Sequence, residues 1–90
     1  MRVHLASGSS EIADVGDRFE VTITGMIGNR EAEVVGFDRR RDDKGFTLLL
    51  RLTNNPSWNG HVFRDCDYIL IRKLSANFVA RGRDLWQKRS

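Results

Sequence analysis

Five side chains in this sequence are of the types that ligate metals or act as nucleophiles: His4, His61, Asp65, Cys66 and Asp67. Structural zinc takes four ligands, usually as Cys/His pairs at a short repeated spacing. One Cys and two widely separated His provide no such pattern, so no metal site and no cofactor is expected. Cys66, with His61 five residues before it, has the makings of a thiol–imidazole pair. Asp65 and Asp67, however, flank the sulfur and oppose the thiolate that a reactive cysteine needs. Cys66 therefore reads as a small buried or half-buried residue in a turn. Gly25-Met26-Ile27-Gly28 is too short for a phosphate loop and lacks the Lys-Ser/Thr that would follow. With no convergent acid–base set, the chain is not expected to be an enzyme.

Charge gives the stronger signal. Residues 1–38 carry three basic and seven acidic side chains, a net −4, whereas residues 39–90 carry twelve and five, a net +7. Twelve of the fifteen basic residues are Arg, whose planar fork suits phosphate, carboxylate and flat rings. Such a basic half points to an anionic partner. Arg39, Arg40 and Arg41 form the densest run, with Lys44 close behind, and three guanidiniums in a loop can reach phosphates without regard to sequence. The flanking Asp38, Asp42 and Asp43 allow the opposite outcome, a self-neutralised, solvated loop. A second excess lies in the tail, where Arg72, Lys73, Arg81, Arg83, Lys88 and Arg89 face Asp84 alone. Trp86 among them is suited to stacking on a base or anchoring an interface. Trp58 sits in an Asn-rich loop and either folds back on the domain or joins Phe37, His61 and Tyr68 in a ring-lined patch.

These residues must be positioned by one small domain, since 90 residues leave no room for two cores. The longest apolar runs, Leu48-Leu49-Leu50 and Ile69-Leu70-Ile71, fall far short of the roughly 20 residues that cross a bilayer. The first residues lack a signal-peptide core. A single cysteine excludes an intrachain disulfide and suits a reducing, cytoplasmic setting.

The pattern along the chain is one of strands. Residues 1–16 read as a flexible lead-in, with Ala6-Ser7-Gly8-Ser9-Ser10 linker-like. Phe19, Val21 and Ile23 alternate with polar residues as in a half-buried strand. A second strand is expected over 31–37, with Gly36 marking a bulge or bend. After the polar loop 38–45, Phe46, Leu48, Leu50 and Leu52 form the inward face of a third strand. That places Thr47 outside, where replacement by Ala costs less than about 1 kcal/mol. Asn59-Gly60 signals a hairpin into a short fourth strand over 61–64. A turn at 65–67 leads to a fifth over 68–74, with Ile69 or Leu70 in the core. Ser75 is a candidate N-cap for a short basic helix or tail over 75–90.

Five short strands in this order, with a tight turn at Phe63-Arg64-Asp65-Cys66-Asp67-Tyr68-Ile69 before the last, resemble a small SH3-like barrel over 17–74. The Val15-Gly16-Asp17 opening and Gly36 are similar to its Tudor and KOW branches, whose members bind nucleic acid, polymerase or ribosomal partners. An OB-like barrel has a comparable strand count. The expected fold is thus mainly β, a five-stranded barrel with a short C-terminal helix.

The expected function is that of a non-enzymatic binding module contacting nucleic acid or a nucleic-acid-handling complex through its basic surface. Its candidate residues are Arg39, Arg40, Arg41, Lys44, Trp58, Arg72, Lys73, Arg81, Arg83, Trp86, Lys88 and Arg89. The alternative is a protein-interaction adaptor or small regulatory subunit using Glu20, Glu31 and Glu33. A homo-oligomer with its site between copies is a third arrangement.

Overall fold

The computed structural model describes residues 1–54 and 60–76. Among them the architecture is all β: β1 (Arg2–His4), β2 (Ser10–Ile12), β3 (Arg18–Ile23), β4 (Asn29–Arg39), β5 (Phe46–Leu52) and β6 (Tyr68–Ser75). β1 and β2 pair as a hairpin, and the other four form an antiparallel sheet in the order β5-β4-β3-β6. No helix among the described residues is long and apolar enough to cross a membrane.

β3 is internal to the sheet, paired on one side with β4 and on the other with β6. Phe19, Val21 and Ile23 are buried, while Arg18, Glu20 and Thr22 face out. The chain reverses into β4 through Gly25 and Gly28, both at positive φ (87° and 83°), a region that L side chains enter only with strain. β4 is much longer than β3 and pairs with it only from Asn29 to Glu33. Beyond that point β4 keeps β5 as its strand partner. The ladder shifts register between Val34, opposite Leu50, and Gly36, opposite Leu49, so Val35 is the extra residue of a bulge. Past the bulge, β4 and β5 continue as a two-stranded arm that ends in the 40–45 loop.

The core comprises Val3, Ala13, Phe19, Val21, Ile23, Ala32, Val34, Leu48, Leu50, Leu52, Phe63 and Leu70. Two expectations about it need correction. Phe46 shares the face of Leu48 and Leu50, yet is 61% exposed, because it is the first residue of β5, beside the 40–45 loop, and borders a cavity rather than packed side chains. Thr47, expected outside, is buried: its Oγ1 donates to the Leu48 carbonyl at 3.2 Å and lies 3.3 Å from the Tyr68 hydroxyl. Of the two candidates in β6, Leu70 points inward and Ile69 outward.

The expected fourth strand shrinks to one residue. Phe63 exchanges two backbone hydrogen bonds with Leu50, at 2.9 and 2.7 Å, and then Arg64–Asp67 turns away. With a single bridge in place of a strand, the described residues make an open sheet rather than a closed barrel. Ser75, expected to cap a helix, ends β6; the helix expected beyond it falls on 77–90, outside the described residues.

Residues 1–16, read as a lead-in, form the β1–β2 hairpin and its connection to β3. The Ser-Gly-Ser stretch is its turn: the Leu5 amide donates to Ser9 and the Gly8 amide to Leu5. The hairpin is fixed to the sheet by the Ala6 amide, which donates to the Leu70 carbonyl at 2.8 Å. Lys73 fastens it again, with Nζ 2.8 Å from the Ile12 carbonyl oxygen and 3.1 Å from the fully buried Asp17 carboxylate. Asp17 also accepts the Asp14 amide at 2.9 Å, closing the turn that leads into β3.

Candidate nucleic-acid interface

The two charge classes that separate along the sequence meet in space. β3 and β4 carry Glu20, Glu31, Glu33 and Asp38 beside three arginines, while the charged residues of their flanking strands β5 and β6 are all basic. Glu20 and Glu31 sit directly opposite one another in the β3–β4 ladder, an arrangement that alone is unfavourable. Arg72 of β6 answers Glu20 at 3.1 Å, and Arg18 answers Glu31 at 3.5 Å. Arg51 of β5 reaches Glu33 at 3.9 Å. Exposed pairs of this kind contribute about 0–1 kcal/mol each, so their importance here lies in the charge they occupy.

The arginine run divides three ways. Arg40 is held by Asp42 through Nε and Nη2, both at 3.1 Å, which raises the Arg40 pKa and lowers that of Asp42. Arg41 folds back on the turn before β6: its Nη1 donates to the Asp65 carbonyl at 2.8 Å, and Nη2 lies 3.4 Å from Asp67. The Arg39 guanidinium has no acidic partner among the described residues, and neither does the Lys44 ammonium.

The Arg64–Asp67 turn explains why Arg41 is held. Burial alone would raise the Asp65 pKa, but the Arg41 amide at 3.1 Å and the Arg64 guanidinium at 3.2 Å outweigh it and hold the carboxyl below the ordinary aspartate range. Asp67 is lowered chiefly by the Arg64 amide, which donates to it at 3.0 Å. Arg64 also reaches back to Asp38 at 3.3 Å and to the Arg39 carbonyl, tying this turn to the arm. Cys66 lies between the two acids at positive φ (73°) and is exposed, not buried or half-buried as expected.

Arg39, Arg40, Arg41 and Lys44 therefore gather at the arm tip, whereas Arg72 and Lys73 lie on β6, across the sheet, and are already paired with Glu20 and Asp17. Trp58, Arg81, Arg83, Trp86, Lys88 and Arg89 lie outside the described residues. Of the rings expected to join Trp58, His61 stands edge-on to Phe63 at 4.6 Å, and the Tyr68 hydroxyl donates to the Leu48 carbonyl at 3.0 Å.

Sequence reasoning missed a different grouping. Cross-strand partners share a face, as do residues two apart. Arg39 is opposite Phe46, and Phe37 is opposite Leu48. Phe37, Arg39 and Phe46 thus stand together on one side of the arm, with both rings substantially exposed (42% and 61%). The available signal was Gly36, because a bulge there frees the following ribbon from the sheet. Below Phe46, a cavity of about 260 Å³ opens between β1 and the arm, with Arg2, His4, Arg40, Thr47, Leu48 and Tyr68 among its lining.

Compared with protein-family models, curated proteins and solved structures, the chain matches none.

Proposed function

We propose that this chain is a non-enzymatic module that binds nucleic acid, or a nucleic-acid-handling complex, through the basic end of the β4–β5 arm. One observation carries the reading: two exposed phenylalanines flank a guanidinium that has no acidic partner among the described residues. Aromatic platforms beside cations are the means by which proteins hold single strands, since every base offers a flat face and every linkage a charge. The meander of β3, β4 and β5, with a tight turn ahead of β6, supports a resemblance in strand order to the SH3-like fold and its Tudor/KOW branches, the barrel being open among the described residues. A cytoplasmic setting suits a chain whose lone cysteine is exposed. The adaptor alternative is weakened, because Glu20, Glu31 and Glu33 already have arginine partners.

Fluorescence anisotropy with single-stranded DNA and RNA at about 50 mM salt tests the reading, because phosphate contacts are strongest at low ionic strength. Binding at micromolar protein that weakens steeply with salt is expected. Arg39→Ala should weaken all sequences alike and reduce the log–log salt slope by about 0.7. Arg41→Ala should leave that slope unchanged, since its guanidinium is engaged with Asp65 and Asp67. Absence of binding to either polymer under these conditions sinks the reading.

A further inference from the structure

The cavity between β1 and the arm has a graded lining. Leu48 at its floor is almost fully enclosed, Tyr68 is half-buried, and Phe46 at the mouth is largely exposed. Arg2 comes from β1 and Arg40 from the arm, so guanidiniums approach the opening from two elements. Arg40 is oriented by its two bonds to Asp42, which leave Nη1 unused among the described residues. Asp65 also lines the cavity, but its carboxylate is occupied by the Arg41 amide and the Arg64 guanidinium. At about 260 Å³ the space is below the usual 300–1,000 Å³ of drug-sized sites, and suits a single ring system.

We propose that this cavity seats one unpaired base of a single-stranded nucleic acid, with the base against Phe46 and the adjoining phosphates on Arg2 and Arg40. The proposal rests on the nucleic-acid reading above and deepens it: the strand runs along the arm face and turns one base inward. A base in a duplex has both faces stacked and its edge paired, so it cannot enter without first being unpaired. The Arg2 fork can engage two phosphate oxygens at once, whereas Arg40, held by Asp42, offers Nη1 alone. Arg2 lies outside the arginine run, in a hairpin that carries no other basic residue but His4.

The test compares a labelled oligothymidylate with an abasic phosphodiester of equal length, again by anisotropy. Wild-type protein should prefer the strand that has bases. Phe46→Ala should weaken oligothymidylate binding by about 5- to 150-fold, the range for loss of one stacked base, and leave the abasic strand unchanged. Phe46→Leu keeps apolar bulk at the arm and should lose the same preference, which separates loss of the ring from loss of fold; circular dichroism checks both variants. Arg2→Ala should weaken both strands and lower the salt slope by about 0.7. If wild-type protein binds neither strand, the underlying nucleic-acid reading fails. If it binds both equally, or if the Phe46 variants retain the preference for bases, the cavity proposal is overturned while that reading stands.

Discussion

Leu50 and Thr47 lie three positions apart on one strand, and both are buried, but by different neighbours. Leu50 is enclosed by the sheet and bridged through its backbone to Phe63. Leu50→Ala should cost about 2–5 kcal/mol, the range for large-to-small changes in a core. Thr47 is covered instead by the chain around Tyr68, and its hydroxyl bonds to Leu48. Thr47→Ala removes about one buried methyl group and one hydrogen bond, and should therefore cost about 1–2 kcal/mol. Urea unfolding of the two variants measures both; a Thr47→Ala loss near zero would restore the outward placement. Alternation made Leu48, Leu50 and Leu52 legible in the sequence. It could not reveal Thr47, because a period of two reports one sheet face and not a segment crossing over the other. It also misjudged Phe46, because a side chain is buried only where something lies beneath it.

The bulge and the turn use glycine for different reasons, and substitution should separate them. A Cβ on Gly36 would meet Leu49 Cδ1 at 3.6 Å, an ordinary contact, and Gly36 lies outside the positive-φ region. Gly36→Ala should thus be neutral or stabilise by about 0.4–1 kcal/mol, through a less disordered unfolded chain. Gly28 has open space around it but φ +83°, so Gly28→Ala should destabilise by about 1 kcal/mol or more. Thermal melts of both variants check the pair, and equal losses would mean that the bulge itself requires glycine. Gly36 was readable as a bulge because glycine weakens a strand interior and is kept there where the strand bends or bulges. The β1–β2 hairpin was not readable: its strands have three residues each, and its anchors, Val3 and Leu5 with Ala13 just after β2, show no alternation. The partners of Arg41, Arg72 and Lys73 were hidden for a related reason, since they come from segments distant in sequence.

For the whole molecule, the acid side of the stability curve follows from the turn before β6. Asp42, Asp65 and Asp67 are all held below the ordinary aspartate value of 3.8 in the folded chain. Groups lowered by folding stabilise the native state above their unfolded value, and that contribution disappears as pH falls through the folded one. Stability should therefore decline from about pH 4 downward. Urea midpoints for the parent chain should drop between about pH 5 and pH 3, and Asp65→Asn/Asp67→Asn, already weaker at neutral pH, should show a smaller drop. Equal drops in the two proteins would remove these carboxylates as the cause. Among the described residues, Arg51, Arg64, Arg72 and Lys73 of the +7 half are counterions of Glu33, Asp38, Glu20 and Asp17 of the −4 half.

The central place of β3 also has a consequence in time. Its partner β4 follows within a few residues, but its other neighbour pairs Ile23 with Tyr68 and Arg18 with Ser75. The β3–β4 hairpin can zip locally, whereas the second edge requires closing a loop that spans most of the domain. Lys73, which meets the buried Asp17 carboxylate, is synthesised only after β5 and the turn before β6. During translation the acid-rich segment therefore waits, exposed and self-repelling, until β6 emerges. Such high contact order places folding in the range of about milliseconds to seconds, with β6 docking the step that commits the chain.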